Sequence, residues 1–128
     1  MVIPRFFEQA MENKSITVFG SGKQTRDFTH VDDTVKASIL LAEKIKGCEI
    51  FNIANEHERT ILDLAHEIVK VTGSRSEVIY VEAPQKRYDF EVERRFGSSE
   101  KLFKTTGYKP DTKLHEGLKG IHKYLLSL

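Results

Sequence analysis

The stretch TVFGSGKQTRDFTHVDD at residues 17–33 decides how this chain is organised. It runs from a short apolar segment, through a turn at Gly20-Ser21-Gly22, into a polar segment centred on Arg26. Val18 and Phe19 favour a strand, and two glycines so close together favour a tight turn. The stretch ends in two aspartates, whose carboxylates can accept hydrogen bonds from the first N–H groups of a following helix.

A site for a phosphorylated ring compound is one interpretation of this stretch. Arg26 can bind a phosphate through two parallel N–H···O bonds, which lysine cannot, and Phe19 offers a flat apolar face for a ring. The alternative is a β-hairpin with a solvated arginine, because short glycine turns are common. The stretch is not a phosphate-binding P-loop, since that motif needs four residues between its glycines, whereas Gly20 and Gly22 are one residue apart.

The composition is that of one globular domain. The chain has 128 residues, of which 39% are hydrophobic and 30% are charged. A net charge of +1 gives no basic footprint for nucleic acid, and no apolar run is long enough to span a membrane. Cys48 is the only cysteine, so we expect no disulfide and no metal site. With no visible signal peptide, we expect a cytoplasmic protein.

Apolar spacing along the rest of the chain predicts an α/β fold, with a small mixed sheet and flanking helices. The expected order is helix, strand, turn, strand, helix, strand, helix, strand and two final helices. Strands are expected at residues 15–20, 49–54 and 78–81, in addition to the one after the turn. Pro84 should end the last of these strands, and residues 85–97 should form a polar loop of mixed charge.

Local signals place the ends and faces of the helices. Thr60 should begin one helix with a capping box completed by Asp63, and Thr112 should cap the last helix. Three further side chains are expected on the surface: Arg5 at the start of the first helix, and His115 and His122 on the last. The alternative for Arg5 is that it reaches toward a substrate. The second helix carries one apolar stripe, made of Val35, Ile39, Ala42 and Ile45.

The chain resembles the nucleotide-sugar epimerase/dehydratase family, the extended short-chain dehydrogenases. The resemblance rests on QTRDF at residues 24–28 and VDD at 31–33, and it continues through FNIA at 51–54, TILDLA at 60–65 and GYKP at 107–110. Within this family, the motifs of UDP-glucose 4-epimerases are the most similar to those of this chain. The resemblance implies that this is the C-terminal, substrate-binding portion of an NAD-dependent UDP-sugar 4-epimerase, which interconverts UDP-glucose and UDP-galactose.

The resemblance also implies a set of substrate-binding residues: Val18, Phe19, Gln24, Arg26 and Arg95. In the family, the residues matching the first two line the uracil site, and the two arginines clamp the diphosphate. Ser98 stands where the family usually has aspartate, so Arg94 is the alternative match for the second arginine.

The sequence lacks the motifs of the redox centre. It contains no Gly-x-x-Gly-x-x-Gly and no Tyr-x-x-x-Lys, so the resemblance implies that NAD and the catalytic residues belong to an N-terminal domain absent here. We expect no redox chemistry and no bound cofactor in this chain alone. Three alternatives remain open: the same portion of a UDP-glucuronate decarboxylase or dTDP-glucose 4,6-dehydratase, a stand-alone non-catalytic nucleotide-binding module, and a segment that binds no ligand. We expect the chain to self-associate or to pair with the NAD-binding domain.

Overall fold

The structure, a computed structural model, describes residues 1–82 and 92–128, which form five helices and five strands. The helices are α1 (Val2–Met11), α2 (Val31–Lys44), α3 (Ile61–Thr72), α4 (Glu100–Thr106) and α5 (Leu114–Leu125). The strands are β1 (Ile16–Phe19), β2 (Thr25–Asp27), β3 (Glu58–Thr60), β4 (Val78–Val81) and β5 (Arg94–Arg95). The predicted α/β class is confirmed. The expected break at Pro84 and residues 85–91 of the expected loop lie outside the described residues.

The strands form two small sheets. Strand β1 pairs in parallel with β4, whereas β2 lies between β3, which is antiparallel to it, and β5, which is parallel. Strands β1 and β2 therefore belong to different sheets, and the hairpin interpretation of residues 17–33 is wrong. The turn between them contains Gly20 and Gly22 with φ of 63° and 68°, a conformation that glycine adopts without steric cost.

The main hydrophobic core lies between β1 and helices α1, α3 and α5. Each of these helices has an amphipathic sequence and turns its apolar face inward. The largest buried side chains are Phe6, Phe7, Ile16, Val18, Leu64, Ile68 and Leu118. This core holds α1 against β1, and both elements border the candidate site described below.

The predicted capping box at the start of α3 is confirmed. Thr60 Oγ1 accepts a hydrogen bond from Asp63 N at 2.9 Å, and Asp63 Oδ2 accepts one from Thr60 N at 3.1 Å. The box satisfies two backbone N–H groups that the helix itself leaves without partners. Strand β3 therefore passes directly into α3 at Thr60.

Helix α2 begins differently from the prediction. The ring nitrogen Nδ1 of His30 accepts a hydrogen bond from Asp32 N at 3.2 Å, so His30 caps the helix in place of an aspartate. Asp33 is buried and accepts hydrogen bonds from the Tyr108 hydroxyl at 2.5 Å and from Thr112 N at 3.1 Å. Burial raises the pKa of Asp33, but these hydrogen bonds outweigh burial and leave the pKa below its usual value.

Tyr108→Phe is expected to lower the free energy of unfolding by about 1–3 kcal/mol, because it removes a donor from a buried carboxylate. A carboxyl whose pKa is lowered by folding contributes stability above its unfolded pKa, near 3.8 for Asp33, and loses that contribution as the pH falls through the folded value. The loss should therefore be larger at neutral pH than in acid, as measured by urea unfolding. Tyr124→Phe, at a side chain that is 63% exposed, is the control. An equal loss in both variants would contradict this account of Asp33.

Two apolar segments leave large side chains exposed. In α2, Val35 and Ile39 are 52% and 55% exposed, and the helix instead buries Asp33 and Ala37. Residues 49–54 form no strand, and Ile50 is 86% exposed. Helical or alternating spacing predicts an apolar face but not what covers it, and the described residues leave Val35, Ile39 and Ile50 exposed.

The two histidines of α5 are half-buried, not on the surface as expected. His115 Nδ1 lies 2.5 Å from Glu67 Oε1 on α3, and the His122 ring stacks on Phe7 of α1 with centroids 6.2 Å apart. Both contacts tie α5 to the core helices. Thr112, the expected cap of α5, lies one residue before the observed N-cap, Lys113, whose side chain makes no cap hydrogen bond; the Thr112 backbone N–H donates to Asp33.

Candidate functional site

A cleft of ≈ 610 Å³ lies between the start of α1, the end of β1 and the three-stranded sheet. Four of the five predicted substrate-binding residues line it: Phe19, Gln24, Arg26 and Arg95. Val18, the fifth, has a fully buried side chain in the hydrophobic core. The structure therefore brings four predicted side chains to one cavity and places Val18 behind its wall.

The register of the small sheet sets the two arginines side by side. Arg26 on β2 is the direct partner of Arg95 on β5, and Thr25 is the partner of Arg94. Partners on adjacent strands point to the same face, and successive residues point to opposite faces. Of the two alternative matches for the second arginine, Arg95 is the one that lines the cleft.

Arg94 lies on the opposite face of the three-stranded sheet, where it is hydrogen-bonded to Glu58. Its Nε and Nη2 donate to Glu58 Oε1 and Oε2 at 2.7 and 2.9 Å, and Thr25 Oγ1 donates to Glu58 Oε1 at 2.5 Å. The hydrogen bonds from Arg94 and, to a smaller extent, from Thr25 lower the pKa of the Glu58 carboxyl to about 2. The three side chains connect β3, β2 and β5, and so hold the strand that carries Arg95.

Arg94→Gln is expected to raise the pKa of Glu58 toward its usual value of 4.5. The Glu58 contribution to stability is present above pH 4.5 and is lost as the pH falls toward 2. In the variant, the stability lost between those two pH values should shrink. Carbon-13 NMR titration of the glutamate carboxyls measures the pKa of Glu58 directly. An unchanged Glu58 titration in the variant would contradict the pairing.

Arg5 is a residue of the cleft that the sequence interpretation placed in solvent. Its Nη2 donates to Thr17 O at 2.9 Å, and its guanidinium carbon lies 4.4 Å from the centre of the Phe19 ring. Arg5 also lines the cleft, so the expectation of a solvated arginine is wrong. Local periodicity gives no sign of this contact, because it depends on how α1 packs across β1.

Asp27 is a second residue that the prediction missed. It lines the cleft, and its Oδ2 accepts a hydrogen bond from Glu56 N at 3.0 Å. Its Oδ1 is buried and has no hydrogen-bond partner among the described residues. The QTRDF motif contained Asp27, but the sequence alone assigned it no contact.

Comparison with known proteins identifies the class to which this fold and cleft belong. The NAD dependent epimerase/dehydratase family matches residues 1–54. The chain is 38% identical over 122 residues to UDP-N-acetyl-alpha-D-glucosaminuronate decarboxylase of Bacillus cytotoxicus, covering 92% of this chain and 37% of the relative. Other relatives are a putative UDP-glucose 4-epimerase and dTDP-D-glucose 4,6-dehydratases.

Solved structures agree with that class. UDP-glucose 4-epimerase of Thermotoga maritima with UDP-glucose has a TM-score of 0.88 at 28% identity, over 99% of this chain and 40% of that one. UDP-glucuronic acid 4-epimerase of Bacillus cereus, in complex with UDP-glucuronic acid and NAD, has a TM-score of 0.85 at 28% identity, over 99% and 40%. The chain is similar to members of the NAD-dependent epimerase/dehydratase family along nearly its whole length, and it spans well under half the length of these relatives.

Members of this family bind NAD, but the described residues of this chain do not fit a dinucleotide. The fold that binds NAD uses a glycine turn that opens a helix, whose N-terminus meets the pyrophosphate. Here the turn at Gly20 and Gly22 leads into strand β2. Within residues 1–82 and 92–128, no three His, Cys, Asp or Glu are grouped to hold a metal ion. No helix in that part of the chain is long and apolar enough to cross a membrane.

Proposed function

We propose that this chain is the nucleotide-sugar-binding portion of an NAD-dependent UDP-sugar 4-epimerase, and that it grips the uracil and diphosphate of the substrate. One observation carries the proposal: Arg26 and Arg95 are direct cross-strand partners, and both line the cleft that also contains Phe19 and Gln24.

The arginine pair is suited to a diphosphate. Like charges directly opposite each other on adjacent strands repel each other, and an anion placed between them is attracted to both. A guanidinium binds phosphate oxygens through two parallel hydrogen bonds. Each such charge-assisted contact contributes about 1.5–3 kcal/mol, so two of them, together with stacking of the base, give a weak site, with a dissociation constant in the micromolar to millimolar range.

The base would lie at the Phe19 end of the cleft. The Phe19 ring and the Arg5 guanidinium, 4.4 Å apart, present flat surfaces on which a pyrimidine can stack. Gln24 Nε2 donates to Phe19 O at 3.2 Å, which fixes the carboxamide beside the ring. Val18 supports this wall from the core side.

The contribution of the chain to the reaction is positional. Inverting a sugar carbon requires the sugar to present both faces in turn, while the rest of the substrate stays bound. A grip on the diphosphate and base meets that need without touching the reacting carbon. We assign no catalytic residue to this chain, and the interconversion of UDP-glucose and UDP-galactose belongs, in this proposal, to the whole enzyme.

A second candidate is the same portion of a UDP-glucuronate decarboxylase, favoured by the 38% identity to a UDP-sugar-acid decarboxylase. A dTDP-glucose 4,6-dehydratase, a stand-alone nucleotide-binding module and a segment without a ligand are the remaining alternatives. An upstream coding sequence for an NAD-binding domain, in frame with Met1, would count against the stand-alone module.

Calorimetric titration with UDP-glucose, UDP-glucuronate and dTDP-glucose tests the proposal. The epimerase proposal predicts saturable binding of UDP-glucose. Clearly tighter binding of UDP-glucuronate would support the decarboxylase, and tighter binding of dTDP-glucose would support the dehydratase. Binding of none of the three would refute the proposed grip in this chain.

We also propose that the exposed apolar faces are covered by an N-terminal NAD-binding domain in the whole enzyme. The exposed side chains include Ile50, Tyr80 and three residues four apart on one face of α2, Val31, Val35 and Ile39. Contiguous apolar surface such as that on α2 marks an interaction site. The isolated chain is therefore expected to self-associate as its concentration rises. Analytical ultracentrifugation checks this, and a strictly monomeric species at high concentration would contradict it. A cytoplasmic location stays a prediction.

A further inference from the structure

We propose that Asp27 is a sugar-binding residue of the nucleotide cleft, and that one oxygen of its carboxylate accepts a hydrogen bond from a hydroxyl group of the sugar. This inference rests on the proposed function, because it takes the base and the diphosphate to bind as described above. It adds an acceptor to a cleft in which the arginines offer only donors.

The carboxylate of Asp27 has one oxygen in use and one without a partner. Oδ2 accepts a hydrogen bond from Glu56 N at 3.0 Å. Oδ1 is buried and has no hydrogen-bond partner within residues 1–82 and 92–128, which is costly for a charged acceptor. Asp27 lines the cleft, so a ligand bound there can supply the missing donor. The diphosphate is excluded as that donor, because it is an anion that offers only acceptors.

The backbone group that anchors Asp27 is itself held in place. Glu56 has a φ of 59°, which is uncommon for a residue with a side chain. Its Oε1 accepts a hydrogen bond from Ser99 N at 2.6 Å, and its Oε2 pairs with Lys109 Nζ at 2.6 Å. These contacts fix the N–H group that binds Asp27 Oδ2. The carboxylate is therefore positioned before a ligand arrives, which lowers the entropic cost of binding.

The order of residues along β2 indicates which part of the ligand meets Asp27. Gln24, just before the strand, donates to Phe19 O at the proposed base end of the cleft. A strand advances about 3.3 Å per residue, so Arg26 lies farther from the base end than Gln24, and Asp27 lies farther again. A nucleotide sugar is built in the order base, ribose, diphosphate, sugar. With the diphosphate at Arg26, the next group along the cleft is the sugar.

Calorimetric titration with UDP and with UDP-glucose tests this assignment. Asp27→Ala should weaken the binding of UDP-glucose about tenfold more than it weakens the binding of UDP, in line with the loss of one hydrogen bond to a charged acceptor. The lost negative charge acts on the diphosphate of both ligands, so the comparison isolates the sugar contact. Asp27→Asn keeps an acceptor for the Glu56 N–H and should give a smaller change in the same direction.

Asp32→Ala is the matched control. It removes the same charge from a side chain that is 85% exposed and lies outside the cleft. The affinities for UDP and for UDP-glucose should keep their ratio in this variant. An equal change of that ratio in Asp32→Ala and Asp27→Ala would contradict a specific sugar contact.

Analogues of UDP-glucose with one hydroxyl group replaced by fluorine identify the partner of Asp27, because fluorine cannot donate a hydrogen bond and leaves the charge unchanged. One analogue should bind the unsubstituted chain about tenfold more weakly than UDP-glucose does, and should bind Asp27→Ala as tightly as UDP-glucose does.

Two results would overturn this inference while leaving the diphosphate grip intact. In the first, UDP binds, and Asp27→Ala changes the affinities for UDP and UDP-glucose equally. In the second, every fluorinated analogue binds the unsubstituted chain as tightly as UDP-glucose, a result that requires no variant to fold. If neither UDP nor UDP-glucose binds, the proposed grip fails and this inference fails with it.

Discussion

Arg26→Ala is expected to weaken the binding of UDP to this chain by at least about tenfold, which corresponds to the loss of one charge-assisted phosphate contact. Arg26 lies on the central strand of its sheet, because β2 lies between β3 and β5. Its Nη1 donates to Thr25 O at 2.7 Å, which limits the positions of the guanidinium before a ligand arrives. Titration calorimetry with UDP measures the effect.

Three further variants test whether the loss of UDP binding is specific to the two arginines of the cleft. Arg95→Ala should have an effect similar to that of Arg26→Ala, and the double variant should bind no UDP measurably. Arg75→Ala removes the same charge from an exposed position between α3 and β4, outside the cleft, and should bind UDP normally. A general electrostatic effect would instead weaken all three single variants alike, and would contradict a specific grip by Arg26 and Arg95.

Gly22→Ala is expected to lower the free energy of unfolding by about 2–5 kcal/mol and to distort the turn that joins the two sheets. The φ of Gly22 is 68°, which costs a residue with a side chain about 1–2 kcal/mol. An added Cβ would also lie 2.7 Å from Val18 Cγ1 and 3.3 Å from Leu62 Cβ. Overpacking of this kind costs a further ~1–3 kcal/mol. Chemical denaturation measures the sum.

Two other glycines separate the contributions. Gly73 has φ of 64° with open space around the position of a Cβ, so Gly73→Ala should show the backbone cost alone. Gly120 lies inside α5 with open space, and Gly120→Ala should be neutral or stabilising because alanine favours helices. If Gly22→Ala lowers the free energy of unfolding no more than Gly73→Ala does, the close contact with Val18 adds no measurable cost at this turn.

Local signals in the sequence predicted the elements whose causes are local. The capping box of Thr60 and Asp63 was predicted because its two hydrogen bonds span three residues. The strands around Phe19 and Val78 were predicted from their apolar, β-favouring composition. The QTRDF motif identified Arg26 as a candidate phosphate-binding residue. For the second arginine, the resemblance gave Arg95, with the neighbouring Arg94 as the alternative.

Contacts between distant residues could not be predicted in this way. The resemblance favoured Arg95 over Arg94, but Arg95 is placed beside Arg26 by the register of β5 against β2, which no local spacing encodes. The stripe of Val35 and Ile39 was predicted, but its exposure was not assigned to any residue, because amphipathic spacing does not identify a partner. The position of Arg5 over Phe19 depends on the packing of α1 across β1.

The most direct test of the central claim is an NMR titration of the chain with UDP, followed at the backbone amides. We predict saturable shifts at Phe19, Gln24, Arg26 and Arg95, with a dissociation constant between micromolar and millimolar and with no comparable shifts around Arg75. No saturable change at millimolar UDP, or saturable shifts confined to residues outside the cleft, would contradict the claim that these residues form a nucleotide-sugar grip within this chain.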